Sequence, residues 1–479
     1  MADHLLELWR WLSSMPHLGW YLALGWLAYV LGLGGWIVLQ KRPPVATLSW
    51  LFGLAAIPYA GFLVYLVLGP QRIKRHRLRR ARSRVRLSDE DVAATGEAEL
   101  ATLAQATSGL PASTARDVRL LVDGAATYDA LLEAVRGARH HVHLEYYIYA
   151  ADRTGTALRD ALAERARAGV AVRLLLDAVG SAGIPRDFFA PLQAAGGEVA
   201  WFHPMQFGRV WRRTWINLRS HRKIVVVDGD VGFTGGINVT DEQNERVRAD
   251  AYRDLHLRIE GDVVRALQVL FVEDWAYATG QRDFIASVAK AMPERRPGQI
   301  AAQVLGSGPD SPWESIHRLH VGAIHEASRR VWLATPYFVP GEAALMALGS
   351  AALAGLDVRV LVPRRSDSMP VTWAARSYFD ELMAAGVRIY EYGPRMLHTK
   401  AMLVDDEIAI FGSANFDSRS FRLNFEVSVM FRDAAIAGEL AQLFERELAS
   451  APRVRADRPT PLWSVRLPEA LARLLSPLL

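Results

Sequence analysis

Two matching segments constrain this chain more than any other feature: HRKIVVVDGDVGFTGGIN from His221 to Asn238, and HTKAMLVDDEIAIFGSAN from His398 to Asn415. Both read HxKxxxxD, then a glycine-containing turn, then an Asn ten residues after the Asp. One such octet is a mild coincidence, whereas two with the same tail are a duplication. The flanks repeat as well. AGVAVRLLLD from Ala168 is echoed by AGLDVRVLVP from Ala354, and AAGGEVAWF from Ala194 by AAGVRIYEY from Ala384, a spacing of roughly 180 to 190 residues. Each half alternates Ala/Leu/Arg-rich helical stretches with short Val/Ile/Leu strands. The expected fold class is α/β: two repeated mixed-sheet α/β/α domains, 114–292 and 293–479, related by a pseudo-two-fold, with the boundary in MPERRPGQ.

HRKIVVVD reads as a strand, so residues two apart share a face. His221 and Lys223 therefore point together, as do His398 and Lys400. The motif aspartates, Asp228 and Asp405, stand seven positions after the histidines, an odd offset that turns them away. They are expected to organise the turn behind the site. Asp254 in YRDLHLRI and Glu426 in NFEVSVMF each begin the next apolar run, and are expected to hold the imidazoles from a neighbouring strand. Only five of the 56 basic residues are lysine, and two of the five are Lys223 and Lys400. In a chain that otherwise uses arginine, a compact point charge has been kept at those two positions.

Leu18–Leu39 and Val45–Gly69 are uncharged apolar runs of 22 and 25 residues. Each is long enough to cross a hydrocarbon core of about 30 Å. Gln40, Lys41, Arg42 and two prolines separate them, which predicts a transmembrane hairpin within residues 1–70. Nine Lys/Arg lie between Arg72 and Arg86 without an acid, and setting them aside lowers the net charge from +5 to −4. By the positive-inside rule the cluster and everything after it are cytoplasmic. The N-terminus lacks a basic region and a cleavage site, and is not read as a removable signal. Residues 71–113 are expected to be a basic juxtamembrane segment and linker. With no cysteine in the chain, disulfides, thiolate nucleophiles and Cys-ligated zinc are excluded.

The doubled HxKxxxxD pattern resembles the hallmark of the phospholipase D superfamily. Within it the chain is similar to the bacterial cardiolipin synthases over nearly its full length. The similarity runs through HLEYYI from His143, SHRKIVVVDG from Ser220, YRDLHLRIEG from Tyr252, TPYFVP from Thr335, LHTKAMLVDD from Leu397 and NFDSRSFRLNFEV from Asn415. Two departures stand out: Ser220 where the pattern carries Asn, and NVTDEQ in place of a glycine-containing stretch.

The resemblance implies catalysis by His221, Lys223, Asp228, His398, Lys400 and Asp405, with Asn238, Asn415, Asp254 and Glu426 completing the site. It implies a double displacement through phosphohistidine, with the first-half histidine as nucleophile and no metal or other cofactor. One phosphatidylglycerol would donate its phosphatidyl group to a second, at a bacterial cytoplasmic membrane. Lysines and asparagines converging on a phosphodiester can stabilise the charge that grows on its oxygens, as metals do elsewhere.

The motifs leave the acceptor open, so hydrolysis or transfer to another alcohol stays in view. A nuclease is disfavoured by the membrane segments and by the −4 remainder, and no nucleic-acid partner is expected. The oligomeric state is not fixed by the sequence. Weaker signals remain. Tyr146, Tyr147, Tyr337 and Phe338 read as groove or core. Arg212, Arg213, Arg219 and Arg222 read as headgroup contacts or solvated charge. His140, His141 and His143 read as structural histidines. Leu467, Leu471, Leu474, Leu475 and Leu478 form an amphipathic stripe that lies on a bilayer or caps the core.

Overall fold

The computed structural model describes residues 16–39, 44–57, 61, 65, 99–203 and 218–476. They fall into two compact units, an N-terminal one within residues 1–71 and a body that carries both motifs.

In the N-terminal unit, Leu18–Leu39 is one uninterrupted helix without a charged residue. From Gly19 onward it is long and apolar enough to cross a membrane. A second apolar helix spans Pro44–Ala56, and Gly34 leaves room for the Leu51 side chain. The expected second span ran to Gly69, but most positions beyond Ile57 lie outside the described residues, as does the whole basic cluster.

The body contains eighteen described strands. Those of the first half are β1 (Ser113–Ala115), β2 (Asp117–Val122), β3 (His141–Tyr146), β4 (Ala171–Asp177), β5 (Glu198–Phe202), β6 (Arg219–Ser220), β7 (Ile224–Val227), β8 (Val231–Gly235) and β9 (Leu255–Glu260). Those of the second are β10 (Ile300–Ser307), β11 (Arg330–Ala334), β12 (Phe338–Val339), β13 (Asp357–Pro363), β14 (Arg388–Tyr392), β15 (Ala401–Val404), β16 (Ile408–Gly412), β17 (Phe416–Asp417) and β18 (Asn424–Arg432).

One sheet is ordered β2-β9-β8-β7-β3-β4-β5, and the main path of the other runs β10-β18-β16-β15-β11-β13-β14. In each, the first four pairings are antiparallel and the last two parallel. The duplication read from the motifs is thus a duplication of whole sheets. Each motif strand, β7 or β15, sits at the centre of its sheet, buried on both faces, as its continuous apolar run requires.

Helices Asp123–Gly137 and Arg153–Arg167 cover the outer face of the first sheet. Helices Ser315–Glu326, Glu342–Leu353 and Met369–Arg376 cover that of the second. Between the sheets lies one shared core, in which helices Val263–Thr279 and Ala434–Ala449 meet apolar residues of both halves, among them Ile224, Leu257, Phe411 and Val429. The halves are therefore two faces of one core.

Two expectations need correction. The segment taken as linker contains a helix, Glu99–Ser108, whose Leu100 and Ala104 are buried in the second half's core. Its Leu100, Leu103, Ala104 spacing places one apolar stripe on a helix, and Ala-rich composition hides it. The domain boundary is also crossed, because β1, from the start of the first half, pairs antiparallel with β10 of the second.

Candidate active site

The two motifs meet because short strands cross between the halves. β6 pairs in parallel with the start of β18, and the His221 amide donates to the Phe425 carbonyl at 2.9 Å. Reciprocally, the His398 amide donates to the Arg253 carbonyl at 2.7 Å, and the Arg253 amide to that of Met396 at 2.8 Å. Each histidine is thereby brought beside an acid of the opposite half. His221 Nδ1 lies 3.0 Å from Glu426 Oε2, and His398 Nδ1 lies 2.6 Å from Asp254 Oδ2. With Nδ1 engaged, Nε2 is left as the reactive nitrogen of each ring.

Lys223 and Lys400 fold back on their own motifs, donating to the carbonyls of His221 (2.8 Å) and His398. Lys223, Lys400, Asp254 and Glu426 are all buried, as are both histidines. Burial pushes His221 down to about 4, with Glu426 opposing and Lys223 and Lys400 adding to the shift. His398 is lowered by burial and by Lys400, against Asp254, and Lys223 also contributes. Burial brings Lys223 to about 7 and Lys400 to about 8. Burial resists ionisation of Glu426 too, yet His221 and Lys223 outweigh it and hold the carboxylate below its usual range; Lys400 and His398 do the same for Asp254. The two centres share one electrostatic site, since each lysine acts on the other half's histidine.

Asp228 and Asp405 are elsewhere. The Asp228 carboxylate accepts the backbone amides of Arg139, His140 and His141 at 2.8 to 2.9 Å. That of Asp405 accepts those of Ser328, Arg329 and Arg330 at 2.7 to 3.0 Å. Both sit in the left-handed region, at φ 54° and 51°, which Asp tolerates better than most side chains. Each clamps the start of the strand that pairs with its own motif strand.

Asn238 Oδ1 accepts the Ile148 amide at 3.2 Å. Asn415 Oδ1 is buried and has no hydrogen-bond partner among the described residues. Asp254 and Glu426 lie against the imidazoles of the opposite halves.

The two departures noted in the sequence and two acids not singled out there, Glu145 and Asp177, also enter the site. Ser220 donates its hydroxyl to Glu145 and its amide to Asp177 Oδ2 at 2.8 Å. Gln243, from the NVTDEQ departure, takes the Asn238 amide on Oε1 and presents Nε2 to His398 Nδ1 at 3.0 Å and to Asp254 Oδ2 at 3.4 Å. The signal for Glu145 and Asp177 was an acid within or ending an apolar run, HVHLEY or RLLLD.

Of the weaker candidates, Tyr146 and Phe338 are core, while the Tyr147 ring lies 4.8 Å from that of His221. Tyr337 donates to Asp367 at 2.6 Å. Arg222 is neither headgroup contact nor solvated charge. It is buried, ion-paired with Asp274, and donates to the Glu426 and Ser307 carbonyls at 3.1 and 3.3 Å, tying the halves together. Arg212 and Arg213 lie outside the described residues. His141 and His143 share Gln268, and His143 stacks on Phe271. Among the described residues, no group of three or more His, Asp or Glu side chains is arranged to hold a metal ion.

Two imidazole–lysine pairs converging from duplicated halves define a phosphodiester-transferring enzyme of the phospholipase D type. Comparison with known proteins agrees: the family model described as "Cardiolipin synthase, PLD-like domain" matches residues 131–275 and 321–448. The chain is 39% identical over 462 residues to a cardiolipin synthase of Geobacillus sp. (strain WCH70), covering 92% of this chain and 91% of the relative. It is 38% identical over 465 residues to cardiolipin synthase 2 of Bacillus anthracis, covering 93% and 89%. Among solved structures, the phosphatidylserine synthase of Haemophilus influenzae Rd KW20 shares the fold, with a TM-score of 0.60 over 80% of this chain and 100% of that one, at 15% identity. The chain belongs to the cardiolipin synthase family, and is a phosphatidyltransferase of the phospholipase D superfamily.

Proposed function

We propose that this enzyme makes cardiolipin from two molecules of phosphatidylglycerol, releasing glycerol, through a phosphohistidine on His221. The observation that carries the reading is the exchange of acids, which holds both imidazoles by Nδ1 beside two buried lysines. His221, lowered to about 4, is neutral at neutral pH and so a competent nucleophile. Its Nε2 attacks phosphorus; the N–P bond forms as the P–O bond to glycerol breaks. His398 gives its proton to the departing glycerol oxygen, and Asp254 stabilises the imidazolium beforehand. An anionic phosphodiester in the site favours that protonation and restores full charge to both lysines. In the second step His398 takes the proton of the acceptor hydroxyl, whose oxygen displaces His221 from phosphorus.

Lys223, Lys400, Asn238 and Asn415 bind the non-bridging oxygens in this scheme, supplying positive charge and donors where other enzymes use cations. The unsatisfied Asn415 Oδ1 is suited to a donor on the substrate, such as a glycerol hydroxyl. The membrane helix Gly19–Leu39 supports attachment to a membrane. The two apolar runs and the basic cluster support a hairpin with the body on the cytoplasmic side.

The test is product analysis with purified protein in phosphatidylglycerol vesicles containing a chelator. The reading expects cardiolipin and glycerol in equal amounts. Phosphatidic acid as the main product would make the enzyme a hydrolase, and loss of turnover on chelation would end the metal-free scheme.

A further inference from the structure

The C-terminal leucine stripe has an orientation that sequence left open. Leu467–Leu474 is a helix preceded by a wide helical turn over Leu462–Arg466. In a helix that caps a core the apolar side faces in. Here the leucines do not: the inward side carries the small Ala472 with the polar Glu469 and Ser476. Glu469 is buried and accepts both Arg458 guanidinium nitrogens, at 3.1 and 3.2 Å. Ser476 accepts the Tyr378 hydroxyl at 2.9 Å, and the Arg473 guanidinium lies 4.4 Å from the Tyr378 ring centroid. These contacts fix the helix against Met369–Arg376 and turn Leu467, Leu471, Leu474 and Leu475 outward, with Leu462 and Trp463 beside them. Trp463 is 79% and Leu474 75% exposed. Leu478 lies outside the described residues.

We propose that this segment is a membrane-contact element whose outward leucines and Trp463 enter the interfacial layer of an anionic bilayer. Two observations choose the bilayer over a second copy of the chain. The exposed charges on the segment are basic: Arg466 is exposed, Arg473 flanks the leucines while paired with Glu381 of the neighbouring helix, and the segment's one acid, Glu469, is turned inward and paired. A tryptophan at the edge of an apolar face with arginines around it is the composition of a helix lying in a lipid interface.

The position of the element gives it a purpose. The helix on which it rests begins at the half-exposed Met369, two residues after Asp367. Asp367 accepts the Tyr337 hydroxyl and acts electrostatically on Lys400. Contact at the leucines therefore brings the Asp367 side of the catalytic centre toward the surface where lipid headgroups lie. The proposal leans on the cardiolipin reading only for the choice of lipid, and its test does not read turnover.

Because the chain has no cysteine, single-cysteine variants of the full-length protein can each carry one nitroxide. Leu471→Cys, Leu474→Cys and, as a control on an exposed helix of the first half, Asp160→Cys are reconstituted into phosphatidylglycerol vesicles. Labels at 471 and 474 are expected to be at least tenfold more accessible to oxygen, relative to a water-soluble nickel chelate, than the label at 160. Equal nickel accessibility at all three positions overturns the proposal. Dipolar broadening between labels at 471 also overturns it, by showing that a second copy covers the face. A cardiolipin-forming enzyme with aqueous labels would refute this inference alone, whereas immersed labels without cardiolipin formation would refute the function alone.

Discussion

Around His221 the partner carboxylate, Glu426, is itself held by the Ser413 hydroxyl and by Asn424 Nδ2 at 3.1 Å. Around His398 the partner, Asp254, accepts the Leu255 amide at 2.7 Å and shares the imidazole with the Gln243 amide. The same motif on the same sheet thus ends in two different surroundings. What the duplication preserved is the backbone geometry that presents His and Lys. What it let diverge is the set of groups that tune each imidazole. In the proposed scheme one ring arrives neutral to attack and the other delivers a proton, so identical surroundings would not suit both roles.

The largest test of that division removes the rings. His221→Ala is expected to lower turnover by about 10⁴-fold or more and to abolish any acid-trapped phosphatidyl-enzyme. His398→Ala is expected to lose turnover with glycerol as leaving group, yet still to label with a donor whose leaving group needs no proton. Labelling in His221→Ala but not in His398→Ala would exchange the roles.

The next test acts on the acids. Glu426→Gln and Asp254→Asn should each reduce kcat by roughly 10- to 100-fold, with opposite consequences for the pH profile. Glu426 raises the His221 pKa, so its loss drives that pKa below about 4. The acid limb, which requires neutral His221, then moves to lower pH. Asp254 raises the His398 pKa. Its loss moves the alkaline limb, which requires protonated His398, to lower pH as well. One variant widens the active range and the other narrows it; limbs moving the other way would contradict the assignment.

Asp228→Asn and Asp405→Asn should behave alike, since both carboxylates bind three amides at a strand start. Asn tolerates the left-handed backbone, so the substitution isolates the lost charge, at a cost of about 1–2 kcal/mol of stability. Thermal unfolding should register it while kcat/KM changes by less than about threefold. A loss of activity without a loss of stability would return these residues to the chemistry.

How much of this was legible beforehand follows from the range of each interaction. Strand parity separated His and Lys from the motif Asp, because parity is local. It also brought Asp254 and Glu426 forward as partners for the imidazoles. It could not say that they serve opposite halves, because that depends on β6 reaching β18 across about 200 residues of sequence. The Glu99–Ser108 helix was hidden by its composition, and Arg222 by standing among exposed-looking arginines. The leucine stripe was visible as a stripe; which side faces out depends on Arg458 and Tyr378, which no helical period includes.

The smallest expected effect comes from the residue that most separates the two centres. Gln243 Nε2 faces Asp254, and its Oε1, fixed by the Asn238 amide, prevents the side chain from reversing. A donor to Asp254 makes that carboxylate less able to stabilise the His398 imidazolium. Gln243→Leu should therefore shift only the alkaline limb, upward by about half a pH unit to one unit. A matching shift of the acid limb would mean that the amide serves both rings.

The exchange of acids also has a consequence in time. His221 and Glu426 are separated by 205 positions, and ribosomes add roughly 5–20 residues per second. For about 10–40 s of every synthesis, a growing chain displays His221 without the carboxylate that holds its Nδ1. Its apolar N-terminal helix is already available to lipid during that interval. Splitting each centre between early and late residues means that neither is complete until nearly the whole polypeptide has been made.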